Sequence, residues 1–135
     1  MSELESYIRV GQRIRFAYGV HDCLLWPAGW VMVRGRGDPA AAFRGRYSTA
    51  AGARRFVIRH GGLECIARKG ARSVGLEEID PADALPGDVA VGHAGPNDWG
   101  DEPVGMIRAG RYWAALDARC GVVVGPATPL AAWRV

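Results

Sequence analysis

The 135-residue chain has no long uninterrupted apolar run, so no segment is expected to span a membrane. Its opening, Met1-Ser2-Glu3-Leu4-Glu5, is acidic and lacks a basic stretch followed by an apolar one, so it is not expected to be a secretory leader. Delivery outside a cell would then need another route, such as passage inside a larger particle. There is no CxxC pair. The three cysteines, Cys23, Cys65 and Cys120, are odd in number and far apart, which argues against a disulfide framework. His21 and Cys23 form one HxC pair with no second pair of ligands near it, so neither a structural zinc site nor any other metal or cofactor is expected. A dense basic stripe with interleaved aromatics is also missing. The formal charge is +3 and the arginines are scattered, apart from a modest group at Arg34, Arg36, Arg44 and Arg46. A nucleic-acid partner is therefore not expected. No internal repeat or low-complexity segment is present.

What remains is an ordinary globular composition, 49% hydrophobic and 23% charged, long enough for one domain with its own core. The chain is organised around Tyr18-Gly19-Val20-His21-Asp22-Cys23-Leu24-Leu25-Trp26, where a polar turn gives way to an apolar, helix-like segment. Asp22 reads as the N-cap, which places Cys23 at the first helical position. A thiol there faces unpaired backbone N–H groups and the positive end of the helix dipole, and both favour the nucleophilic thiolate. Cys65 and Cys120 read as small buried hydrophobes.

Helical spacing of Leu4, Tyr7 and Ile8 predicts a first helix from Leu4 to about Arg15. The second, Cys23 to about Arg34, is apolar on every side and hence buried, with Pro27 tolerated in its first turn. Asp38-Pro39 opens a short third helix. Ser48 caps another from Thr49 to about His60, stopped by Gly61-Gly62, and one or two further helical turns follow from Leu63 to Lys69. The pattern then turns β-like, with strands expected within 74–79, 88–91, 104–107, 111–116 and 121–124, and a last segment at 129–135 carrying Trp133. This predicts an α+β domain spanning 1–135. Helices occupying about 1–70 pack on a C-terminal antiparallel β-meander of about 74–135.

Three local features resemble the NlpC-type papain-like cysteine peptidases. They are Asp22-Cys23 at the head of a buried helix, the strand opening Pro86-Gly87-Asp88-Val89, and Pro103-Val104-Gly105-Met106-Ile107 leading through a hairpin to Tyr112. The whole chain is similar, more closely, to a small phage-encoded family related to that group and often found among tail genes. The features that carry this are Tyr18 to Cys23, Gly37-Asp38-Pro39-Ala40, Arg44-Gly45-Arg46-Tyr47, Gly61-Gly62-Leu63, the Pro-Gly-Asp-Val strand and the terminal Ala132-Trp133-Arg134-Val135. The resemblance implies a papain-like NlpC fold, and by analogy a cysteine nucleophile at Cys23.

The departures from that pattern are chemical. Where the peptidases carry the histidine that serves as general base, this chain has Pro103, and the residue that would orient it aligns with Ala114. Neither can accept or relay a proton, whereas a Cys–His mechanism needs a base in reach of the thiol and a third group to fix it. His93 offers a substitute if its strand pairs with 104–107, with Asp98 or Asp101 to orient it; otherwise it is an exposed loop histidine. His21 reads as lining the turn, and His60 as a helix-end residue with no chemistry. Trp99, on a polar loop, is either a contact anchor or folded back over the sheet edge.

Two functional readings follow. In the first, the chain is a structural or assembly protein of a tailed phage or phage-like particle, located in the virion tail tip and bound to other tail subunits, with a peptidase-like fold that has lost its base. In the second, it is an active peptidoglycan-cleaving amidase or endopeptidase that uses Cys23 with His93. The first is favoured, with Cys23 as a vestigial thiol. Composition alone also accommodates a cytosolic small-molecule enzyme, which ranks last.

Overall fold

The computed structural model describes residues 1–97 and 99–135. Four helices, α1 (Glu3–Arg13), α2 (Leu25–Val33), α3 (Ala50–Arg59) and α4 (Leu63–Ser73), precede six strands: β1 (Glu78–Ile79), β2 (Val89–His93), β3 (Val104–Ala109), β4 (Tyr112–Asp117), β5 (Gly121–Gly125) and β6 (Thr128–Trp133). All pairings are antiparallel, in the order β1-β6-β2-β3-β4-β5. The α+β organisation is as the sequence predicts. None of these helices is long and apolar enough to cross a membrane.

The meander runs from β2 to β5. The terminal segment does more than the sequence pattern indicates, because β6 returns to the other side of β2 and sets Trp133 opposite both Val89 and Glu78. Strand alternation divides the sheet into two faces. Val89, Val91, Ile107, Ala114 and Leu116 meet Trp26, Trp30 and Val31 in the main core. On the opposite face, Ala90, Met106, Trp113 and Ala132 form a second buried layer, against which Ile79 and Ala84 pack.

Helix α2 is buried at Leu25, Trp26, Ala28, Trp30 and Val31, as expected of a helix apolar on all sides. It packs on the sheet with one flank and joins Ala40, Phe43 and Ile66 with the other. Helix α1 lies on it through Tyr7, whose ring stacks on Trp26 at 5.6 Å and tilts against Trp30 at 5.4 Å. The Tyr7 hydroxyl donates to the Trp26 carbonyl. Close approach needs Gly11, where a Cβ would sit 2.4 Å from the Trp26 indole nitrogen.

The Pro-Gly-Asp-Val opening of β2 is a structural junction. Trp30 Nε1 donates to the Gly87 carbonyl at 2.7 Å, and the Gly87 N–H donates to Arg108 of β3. The buried Asp88 carboxylate accepts from the N–H groups of Leu85 and Val135 and pairs with Arg134 at 3.2 Å. The C-terminal Trp-Arg-Val is thus tied to the start of the central strand.

Several boundaries differ from the sequence expectation. The helix expected at Cys23 begins at Leu25. Residues 39–46 form turns rather than a helix, because Asp38 turns the chain locally by accepting from the Ala40 N–H and pairing with Arg44 at 2.6 Å. The helix after Gly62 continues to Ser73, so Val74, read as strand, closes a helix instead. Thr49, and not Ser48, caps α3 by accepting from the Gly52 N–H.

Candidate functional site

Strands β2 and β5 end and begin, respectively, at the same end of the sheet where β3 starts and β4 finishes. A cleft of about 490 Å³ opens there, walled by Phe16, Tyr18, Cys23, Trp99, Pro103 and Asp117 among others. The turn before α2 forms one side of it. Ala17 and His21 exchange backbone hydrogen bonds of 2.9 and 2.8 Å, which closes a tight loop around Gly19. His21 is buried, and its Nε2 lies 3.1 Å from the Gly11 carbonyl, so it pins the loop to α1 and takes no part in the cleft. His60 stacks on Phe56 at 4.1 Å, with Nδ1 directed at the Phe56 carbonyl.

Asp22 is the centre of this construction. It is only 1% exposed. Oδ1 accepts from the N–H groups of Leu24 and Leu25 at 3.0 and 2.9 Å, and Oδ2 accepts from the Gly19 N–H at 2.9 Å and the Tyr47 hydroxyl at 2.8 Å. Its carbonyl receives the Trp26 N–H. Asp22 therefore caps α2, as its place before the apolar run predicts. Tyr47, 25 residues away, has no local signal in the sequence that would pair it with this carboxylate. Burial and the Asp22 charge raise the Tyr47 hydroxyl well above its ordinary range, so it stays protonated as a donor.

The cap reverses the expectation for Cys23. The position at a helix head predicts a thiolate stabilised by free N–H groups and the helix dipole. Instead the carboxylate next door accepts from the Leu24 and Leu25 N–H groups and adds a negative charge, leaving the thiol only its own backbone N–H. Burial first, then the Asp22 charge, pushes the Cys23 thiol up to about 12 against the opposing pull of its own backbone N–H, and Asp117 adds a smaller rise. Cys23 is a neutral thiol on the cleft wall. Its alkylation should therefore keep accelerating with pH beyond pH 10 without reaching a plateau, measured in a chain whose Cys65 and Cys120 are replaced by serine. A plateau below pH 8 would contradict this. The same shift favours the folded chain below pH 9.0, the thiol's ordinary value, and that advantage is lost as pH rises towards 12.

The hairpin needed to bring His93 near the strand opening does form, since the β2–β3 register sets Gly92 opposite Val104. His93, the next residue and the last of β2, pairs with Thr128 of β6. Its Nδ1 lies 3.0 Å from the Asp101 carbonyl and 3.6 Å from Oδ1 of Asp101. Asp101 thus orients this imidazole, while Asp98 lies outside the described residues. His93 is partly exposed and does not line the cleft, and no hydrogen bond joins it to Cys23 among the described residues. Pro103 does line the cleft, two residues before Gly105, whose backbone sits directly under the Cys23 carbonyl.

Trp99 folds back instead of standing free. Its ring stacks on Tyr18 at 6.2 Å, nearly parallel at 8°, and Tyr18 meets Phe16 edge-on at 4.9 Å. Together they make a continuous aromatic wall. Asp117, not singled out from the sequence, and Cys120, which is exposed rather than the buried hydrophobe expected, complete the opposite rim. Burial alone would raise the Asp117 carboxyl, but the Arg119 and Cys120 N–H groups outweigh it and hold the group below the usual range. The signal was present in Asp117-Ala118-Arg119-Cys120, where an aspartate heads a tight turn. No cluster of three or more metal-ligating side chains occurs among the described residues.

Residues 1–135, the whole chain, match the sequence profile of a family described as a domain of unknown function, DUF6950. The chain belongs to that family. No curated protein and no solved structure matches it. The capped, neutral Cys23 and the aromatic cleft are thus features of a DUF6950 domain.

Proposed function

We propose that this DUF6950 domain is a non-catalytic relative of the NlpC-type papain-like peptidases and serves as a structural or assembly protein in the tail-tip region of a tailed phage or phage-like particle. The observation that carries the reading is the state of the nucleophile position. Cys23 stands at the head of the buried helix, but Asp22 accepts from the Leu24 and Leu25 N–H groups, the thiol is held neutral, and Pro103, which the resemblance aligns with the base, lies on the cleft wall with no proton-accepting side chain. Supporting the particle role is the full-length resemblance to a phage tail-gene family. The domain's remaining asset is the cleft itself, an aromatic-walled recess suited to contact with neighbouring subunits.

The second reading, a peptidoglycan-cleaving enzyme using Cys23 and His93, is favoured by one observation, the Asp101–His93 contact that orients the imidazole. The two are separated by digestion of purified peptidoglycan. The wild-type chain, Cys23→Ala and His93→Ala should release no more soluble fragments than buffer, and the chain should co-purify with assembled particles. Fragment release by the wild type that is lost in both variants would overturn the structural reading.

A further inference from the structure

The charges of this chain are segregated along its length and across its sheet. Residues 1–76 carry thirteen lysines and arginines against five acids, whereas residues 77–135 carry four against nine. The helices lie on one sheet face. The acidic connection from β1 to β2 wraps the other, where Ile79 and Ala84 pack on the Ala90–Met106–Trp113–Ala132 layer.

Each side presents an exposed apolar residue beside charges of one prevailing sign; on the acidic side Arg134, which bonds the Asp83 carbonyl, is already paired with Asp88. On α3, Ile58 is 69% exposed, and Arg54 and Arg55, four and three residues earlier, share its helix face, with Arg59 adjoining. All three arginines are exposed, and among the described residues none pairs with a carboxylate. On the far side, Leu85 is 59% exposed beyond the exposed Asp80 and Asp83. An apolar centre with a charged rim is the usual anatomy of a contact patch, and these two rims have opposite sign.

We infer that a second copy of this chain docks here, with the Ile58 patch of α3 seated on the Leu85 patch of its neighbour. A surface evolved only for a polyanion would explain the arginines but not the complementary acidic patch. Because the two patches lie on opposite sides of the sheet, the contact is head-to-tail. It repeats from copy to copy and closes as a ring or grows as a stack. The inference does not depend on the proposed phage role or on the state of Cys23.

Sedimentation velocity of the full chain tests it. At about 20 mM salt the chain should form dimers and larger species, and at about 500 mM salt, where screening is severe, it should be monomeric. Reversing one rim (Arg54→Glu, Arg55→Glu and Arg59→Glu together) or the other (Asp80→Lys with Asp83→Lys) should weaken association at least tenfold. Mixing the two variants should restore association, because each retains the patch the other has lost and the two reversed rims are again of opposite sign. A wild type that is monomeric at both salts would overturn the inference. So would association unchanged by either reversal, or a mixture that fails to pair. Salt-sensitive binding of heparin by the α3 arginines without self-association would assign the surface to a polyanion instead.

Discussion

Replacing Asp22 with alanine should destabilise the chain by about 3–5 kcal/mol, since it strands the donors of a buried charged acceptor. Four groups lose their partner at once: the N–H groups of Gly19, Leu24 and Leu25, and the Tyr47 hydroxyl. For a domain of ordinary stability that is a large share of the total, and the thermal midpoint should fall by roughly 10–20 °C. Tyr47→Phe removes one donor and leaves the carboxylate three, so it should cost only about 1–2 kcal/mol. Equal losses in the two variants would show that Asp22 acts through Tyr47 alone and not as the cap of α2. Asp22→Asn separates charge from shape. With the negative charge gone, the Cys23 thiol should ionise more readily and alkylate several-fold faster at pH 8.

This arrangement explains why position in the sequence misleads about Cys23. A thiol after an N-cap is activated when the helix N–H groups are left to it. Here the capping side chain is itself a carboxylate, and it takes the N–H groups while adding its own charge beside the sulfur. The same residue that gives the helix its start removes the conditions for a thiolate. Pro103, on the same cleft wall, has no proton-accepting side chain that could help the thiol ionise.

The helices and most strands were legible because their signals are local. Apolar residues recur at helical spacing, Gly61-Gly62 stops a helix, and Gly-rich turns separate the β-like runs, although the cap of α3 falls on Thr49 and not on the expected Ser48. What was not legible depends on distant partners. The pairing of β6 with β2 and β1 joins segments some 40 and 55 residues apart and has no sequence period of its own. Tyr47 reaches Asp22 across 25 residues. Residues 39–46 carried a helix-start signal, Asp-Pro, but the Asp38–Arg44 pair and the Ala40 contact hold them as turns. The strand opening at Pro86 has a local motif, whereas its physical role, joining α2, β3 and the C-terminus through Gly87 and Asp88, depends on all three being in place.

Gly105→Ala tests whether the cleft depends on how closely α2 approaches the sheet. Gly105 has ordinary backbone geometry, so its smallness matters and its flexibility does not. A Cβ there would lie 2.7 Å from the Cys23 carbonyl oxygen and 3.0 Å from Cγ of Pro27, and it would meet backbone and a rigid ring, neither of which can swing aside. The head of α2 must lift off β3, and overpacking of this kind costs about 1–3 kcal/mol. The lift also opens the wall that carries Cys23, so alkylation of the thiol should accelerate along with the loss of stability seen by denaturant titration. Gly125→Ala provides the comparison. It lines the same cleft, has no atom within 4 Å of a new Cβ and should change stability by no more than about 0.5 kcal/mol. If Gly105→Ala were as silent as Gly125→Ala, the contact between the helix head and β3 would not be what holds Cys23 in place.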